Sequence, residues 1–280
     1  MVDTVTGIEK AQQSLWNGTG GQNWVTAQEL LDRMYRPFEP ILTDAVAPGA
    51  RILDVGCGSG ATTVAAARRT GEPEQCVGVD ISEPMIAAAR ERAGRQGLAV
   101  QFLRADAATY AFQPASFDAI ISRFGVMFFD DPTAAFTNLR TAARDGGILR
   151  CIVWRGPEDN PFMTTAERAV AHLLPDLPPR IPDAPGQFGF ADPDHVRPVL
   201  GDSGWTGIDI APLDMPCAMP ASQLPRYLSL LGPVGRALTV AAEATRARVL
   251  ETLVPAFRGY VHGDEVRYTA ACWLINAHAA

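Results

Sequence analysis

The chain has 280 residues and a formal net charge of −7, and Lys10 is the one lysine among its 24 basic residues. A pyridoxal-phosphate enzyme needs a Schiff-base lysine, a phosphate-binding G-x-x-x-x-G-K loop needs one after its glycines, and a Tyr-x-x-x-Lys dehydrogenase pair needs one too, so all three classes are excluded. The acidic balance argues against nucleic acid or an anionic membrane surface as the main partner.

In chain order, Asn23 to Val46 places Leu30, Leu31, Met34, Tyr35, Phe38, Ile41, Leu42 and Val46 at helical spacing. Pro37 and Pro40 break or kink the run, and Gly18-Thr-Gly-Gly21 before it reads as a flexible joint. Arg51 to Val55 is a short apolar strand that ends at a glycine cluster, and Thr62 to Arg69 follows as a helix. Gln75 to Val79 is a second strand, closed by Asp80. Ser82 caps the next helix, with Pro84 in its first turn. Val100 to Leu103 and Phe117 to Ser122 are the third and fourth strands. Asp131-Pro132 opens a helix that Gly146-Gly147 stops, and Ile148 to Trp154 is the fifth strand. Strands alternating with helices at this spacing predict a doubly wound α/β core with a mostly parallel sheet.

The second half changes character. Nine of the 22 prolines fall between Pro157 and Pro198, around a helical stretch from Pro161 to Leu174, and this reads as a cap or insertion. Gly207 to Leu213 and Val266 to Asn276 are candidate sixth and seventh strands, with helical stretches near Ser222 to Leu231 and Val234 to Phe257 between them. The expected organisation is an N-terminal lid (1–44), a core (45–155) and a substrate cap with the last strands (156–280). No run approaches the ~18 apolar residues of a membrane span. The N-terminus lacks a signal peptide's apolar stretch, so a cytoplasmic location is expected. Cysteines 57, 76, 151, 217 and 272 are scattered without a C-x-x-C, which suits reduced thiols and no metal site.

The chemistry concentrates in Asp54-Val-Gly-Cys-Gly-Ser-Gly60, between a strand and a helix, where glycines at 56, 58 and 60 let a ligand approach the backbone. Asp80 ends the second strand, placed to accept hydrogen bonds from ribose hydroxyls. Asp106-Ala107 follows the third strand, where a carboxylate can accept from the exocyclic amine of adenine, and Ser122-Arg123-Phe124 follows the fourth. All four segments converge at the sheet's topological switch point. The spacing G-x-G-x-G also differs from the dinucleotide pattern G-x-G-x-x-G, which must place a pyrophosphate.

With Ile52 to Gly60, Val77-Gly-Val-Asp-Ile-Ser82, Ala105-Asp-Ala107, Phe117-Asp118, the aromatic run Arg123 to Phe129 and Asp145-Gly-Gly147, residues 22 to 154 resemble the class I S-adenosylmethionine (SAM)-dependent methyltransferases. The match is to the ubiquinone/menaquinone-biosynthesis C-methyltransferase-like (methyltransferase type 11/25) group; beyond residue 154 only Phe188 to Asp192 and a terminal strand correspond. The resemblance implies a Rossmann-like seven-stranded sheet and SAM as cofactor, with S-adenosylhomocysteine (SAH) as product. It also implies that Gly56, Gly58 and Gly60 surround the methionine part and ribose, and that Asp80 binds the ribose. Ile81 and Met85 then pack around ribose and adenine, with Asp106 and Ala107 at the adenine edge. Ser122 and Arg123 would lie beneath the sulfonium, Phe124 beside the transferred methyl, and Trp24 as a lid.

Some of these residues have plainer readings. Asp54 equally well accepts backbone amides of its loop, Cys57 is a small side chain tolerated between glycines rather than a nucleophile, and Thr62 and Thr63 either meet the cofactor or cap the helix. His172, His195, His262 and His278 fall where nothing resembles the family strongly, so the sequence names no general base, and no catalytic residue is assigned. The expected activity is methyl transfer to a small, apolar organic acceptor by in-line displacement. The alternatives are a nicotinamide-dependent oxidoreductase on the same sheet and a non-catalytic SAM-binding protein. Oligomeric state is not readable from these residues.

Overall fold

The computed structural model describes residues 12–280, so Lys10 and its tail lie outside the described residues. The N-terminal apolar spacing becomes four short helices: α1 (12–17), α2 (Thr19–Thr26), α3 (Gln28–Tyr35) and α4 (Phe38–Thr43). Pro37 separates α3 from α4 as anticipated, and the buried stripe Leu30, Leu31, Met34, Tyr35, Phe38 and Leu42 enters the core. The glycine run is a different matter. Gly20 and Gly21 lie buried within α2, and a Cβ on Gly21 would stand 2.6 Å from Ser82 Oγ and 3.1 Å from Pro84. Gly21 therefore serves close packing of α2 on the loop after the second strand. Gly20 packs against Leu15, where a Cβ would stand 2.7 Å from its carbonyl oxygen, which corrects the reading of the run as a flexible joint.

The core alternates β1 (Ile52–Val55), α5 (Ala61–Thr70), β2 (Cys76–Asp80), α6 (Glu83–Arg95), β3 (Gln101–Arg104), β4 (Phe117–Arg123), α7 (Pro132–Ala142) and β5 (Ala143–Trp154). The expected caps are present: Ser82 Oγ accepts from the Met85 amide, and Asp131 Oδ1 accepts from Ala134 N at 2.9 Å, each with proline in the helix's first turn. One boundary differs. α7 ends at Ala142, and Gly146-Gly147 lies inside β5, where a register shift against β4 loops residues out and Gly146 takes φ +76°.

The second half adds α8 (Pro161–Val170), α9 (Pro193–Asp202), β6 (Trp205–Pro220), α10 (Leu224–Leu230), α11 (Gly232–Val240), α12 (Glu243–Ala256), β7 (Val261–His262) and β8 (Glu265–Ala279). The sheet order is β3-β2-β1-β4-β5-β8-β6, with the two-residue β7 paired to β8 as an eighth strand. Neighbours from β3 through to β5 are parallel, whereas β8 runs antiparallel to both β5 and β6. The mixed, mostly Rossmann-like architecture is as expected, but β6, at 16 residues, is about twice its anticipated length, β8 extends to 15 residues, and the two pair over most of their length. β6 is the sheet edge, and Pro212, Pro216 and Pro220 share one parity along it. They cannot donate to the β8 ladder, so they take their missing N–H to the open side and blunt that edge against further pairing.

Asn160 fastens the start of α8 to the sheet. It is 1 % exposed; its Nδ2 donates to the carbonyls of Arg155, Gly156 and Ala271, and its Oδ1 accepts from Ala271 N at 3.0 Å. Asn160→Ala strands those buried groups, so chemical unfolding should show a loss of about 3 kcal/mol. A change within ±0.5 kcal/mol, the scale of an ordinary surface substitution, would remove Asn160 from that role.

Candidate active site

The carboxyl ends of β1, β2, β3 and β4 open on one cavity of about 760 Å³, within the range of small-molecule sites. Of the residues singled out in the sequence, Trp24, Gly56, Gly58, Asp80, Ile81, Met85, Asp106, Ala107, Arg123 and Phe124 line it. Asp54, Gly60 and Ser122 do not line it, and each has a supporting place instead.

Gly60 takes φ +81° and turns towards α6 and β3, where a Cβ would meet Ala89 and Phe102 at 2.9 Å. Ser122 is fully buried; its Oγ donates to Val55 O at 2.8 Å and accepts from Gly125 N at 3.2 Å, tying the loops after β1 and β4 together. Asp54 is 1 % exposed and receives the Thr63 hydroxyl on Oδ2 at 2.6 Å, while its Oδ1 has no hydrogen-bond partner among the described residues. Burial pushes its carboxyl up to about 7, against the pull of the Thr63 hydrogen bond and of Arg123. Thr63 is thus committed to Asp54, and Thr62 is the hydroxyl on the cavity wall.

Asp80 holds the glycine loop and faces the cavity at once. Its Oδ2 accepts from Gly58 N and its Oδ1 from Ser82 N, both at 2.9 Å, and burial raises its carboxyl against these amide bonds. A carboxylate offers about four acceptor sites, so capacity remains on the cavity side. Gly58 keeps the wall open beside it: φ is +53°, and a Cβ there would meet only the Met85 sulfur at 3.7 Å. Asp106 closes a turn through Oδ1 to Ala108 N at 2.9 Å. Cys57, buried beside Asp80 and Asp54, has its thiol held well above the usual range, which disfavours a thiolate nucleophile.

Arg123 lies over the Tyr35 ring, 5.6 Å from its centroid. Phe124 takes φ +63°, a conformation costly for a bulky side chain, and is held there by stacking on Trp154 at 4.6 Å and by edge contacts with Tyr35 and Phe38. The N-terminal helices close over this end. Ser82 Oγ donates to Trp16 O at 2.5 Å, Asn17 Nδ2 donates to Ile81 O at 3.1 Å, and Trp16 packs edge-on against Trp24 and Phe128. They also reach α10, where Asn23 Nδ2 donates to Leu230 O and Arg226 donates to Thr26 O.

Sequence reasoning missed the far wall of the same cavity. Phe162, Met163 and Glu167 of α8, Arg180 and Phe188 of the proline-rich segment, and Tyr227, Arg236 and Phe257 line it together with Tyr35 and Trp154. The amphipathic pattern of α8 was a usable signal; nothing local marks the others. No described histidine lines the cavity. Tyr35 and Tyr227 are buried phenols pushed above their usual range, so at neutral pH they are hydrogen-bond donors rather than bases. No helix among the described residues is long and apolar enough to cross a membrane.

The Methyltransferase domain family matches residues 52–147. The chain is similar to nocamycin O-methyltransferase of Saccharothrix syringae, 30 % identical over 237 residues, 76 % of this chain and 83 % of the relative. It is also similar to the demethylmenaquinone methyltransferase of Thermus thermophilus, 34 % identical over 167 residues, 56 % of this chain and 74 % of the relative. The chain spans 64 % of the length of the uncharacterized mycobacterial proteins that it matches at 32 % identity. In fold it resembles the YcgJ protein of Bacillus subtilis, with a TM-score of 0.57 and 16 % identity over 87 % of this chain and 98 % of that one. The order of motifs, the sheet and these likenesses agree: the chain belongs to the Methyltransferase domain family, within the menaquinone-methyltransferase-like group of class I SAM-dependent methyltransferases.

Proposed function

We propose that this chain transfers a methyl group from SAM to a small, largely apolar organic acceptor, with 12–44 acting as lid, 45–155 as cofactor core and 156–280 as acceptor cap with the last strands. One observation carries the reading: a single cavity has a glycine loop and a buried carboxylate at one end and an apolar cap wall at the other. The residues present suit the cofactor. Asp80 keeps acceptor capacity for the ribose hydroxyls, the open backbone at Gly58 admits the methionine part, and the unpartnered Asp54 Oδ1 leaves an unused polar atom at the base of the loop.

Bound there, SAM supplies an electrophilic methyl carbon that an acceptor nucleophile takes by in-line displacement, leaving SAH. The protein's part is to align and to keep dry. Asp80 fixes the ribose, Ile81 and Met85 flank the adenine, and Asp106 with Ala107 holds its edge. The Phe124 ring, locked by Trp154, borders the reacting region, while Trp16 and Trp24 exclude water above it. With the charge dispersing and no histidine nearby, positioning supplies most of the acceleration.

Methyl-labelled SAM incubated with the protein and a small-molecule extract should label an organic-soluble product; label only in protein or nucleic acid overturns the acceptor class. Asp80→Ala should weaken SAM binding by about 1–3 kcal/mol in a calorimetric titration, the scale of a lost charge-assisted hydrogen bond. An unchanged dissociation constant removes Asp80 from the ribose site.

A further inference from the structure

We infer that the cap end of the cavity recognises a carboxylate on the acceptor, held by Arg236 of α11; this rests on reading the cavity as a shared cofactor and acceptor site. Arg236 lines the cavity and is partly buried, and its guanidinium makes no hydrogen bond or ion pair with any described residue. A guanidinium carries five donors, and leaving them unmatched in a poorly solvated wall is costly. Burial indeed pulls its pKa down, partly offset by Glu167 and reinforced by Arg180.

Among the described residues, Glu167 is the carboxylate that acts on Arg236, and Arg180 already occupies it. Arg180 Nε reaches Glu167 Oε2 at 2.9 Å and its Nη2 reaches Oε1 at 2.6 Å, a two-pronged pair that uses both oxygens. Arg180 is held further by the face of Phe188, 4.7 Å from the ring centroid. The trio therefore presents one uncompensated positive charge, on Arg236, to a wall otherwise made of side chains such as Phe162, Met163 and Phe257. A ligand matching that wall has an apolar body and a single anionic group, and a planar carboxylate fits a guanidinium fork in two parallel hydrogen bonds. Arg123 does not compete for this role, being engaged with the carbonyl and ring of Tyr35.

The test uses the full chain and a matched pair of probes, cinnamate and its neutral amide cinnamamide, titrated with and without SAH. The wild type should bind cinnamate about 10-fold more tightly than cinnamamide, the scale of one charge-assisted contact. Arg236→Gln should bring the two affinities to within about 2-fold, and Arg236→Lys should restore part of the preference. Glu167→Gln should keep or enlarge the preference, because it removes the competing carboxylate. Equal affinities in the wild type, an undiminished preference in Arg236→Gln, or no binding of either probe at its solubility limit would each overturn the inference. SAH titration of every variant reports folding and the cofactor reading separately: loss of SAH binding in the wild type with the cinnamate preference intact sinks the SAM assignment and leaves the carboxylate site standing.

Discussion

Replacing Gly125 with alanine should lower the unfolding free energy by about 3 kcal/mol, near the upper end for overpacking. Gly125 has φ −88°, so alanine meets no backbone penalty, and the effect is steric alone. Its Cβ would stand 2.5 Å from Val55 O and 2.7 Å from Gly56 Cα, backbone atoms of the loop that leads to the cofactor end. One of the two loops must move, and moving either disturbs the Ser122 bridge between them, so SAM affinity should fall together with stability. Gly94 of α6 is the control: a Cβ there meets nothing within 4 Å, and Gly94→Ala should stabilise by about 0.5–1 kcal/mol through the unfolded chain. Urea unfolding of both variants checks the pair. A Gly125→Ala midpoint equal to the wild type's would show that the close approach of the two loops does not constrain the fold.

The second large effect concerns pH. Asp54 has its carboxyl raised from 3.8 to about 7 by burial, so the folded chain binds this proton more tightly than the unfolded chain. The contribution to stability is therefore full below about pH 4, declines as pH rises towards about 7, and is constant beyond. Three pH units at about 1.4 kcal/mol each amount to about 4 kcal/mol. Asp54→Asn removes the titration and keeps an oxygen for the Thr63 hydroxyl. The stability of the wild type relative to Asp54→Asn should thus fall by about 4 kcal/mol between pH 4 and pH 8. Chemical unfolding at a series of pH values reads this directly, and parallel curves for the two proteins would show that Asp54 is not desolvated as described.

The cofactor end was legible in the sequence because its signals are local. A strand running into Gly56, Gly58 and Gly60, a serine cap before Pro84, and carboxylates at successive strand ends are each set within a few residues. Which of those residues face the cavity was less legible, since Gly60 and Ser122 differ from Gly58 and Arg123 only in the direction that packing turns them. The β6–β8 pairing was seen as two shorter strands, because its register joins residues as far apart as Trp205 and Ala279 and prolines interrupt the β6 pattern. Gly21 misled for the same reason: its use is a close approach to Ser82 and Pro84, some sixty residues on. The cap wall was least legible. Arg180 reaches back to Glu167 of α8 from irregular chain 13 positions on, and Arg236 joins them only through the packing of α11 near α8.

The cavity's assignment to SAM rests on a glycine loop without a pyrophosphate pattern and on Asp80 held at its rim. Calorimetric titration of the full chain with SAM and, in parallel, with NADH tests it most directly. A saturable one-to-one isotherm with SAM and none with NADH is the expected result. Saturable NADH binding without SAM binding would contradict it and return the nicotinamide-dependent reading of the same sheet.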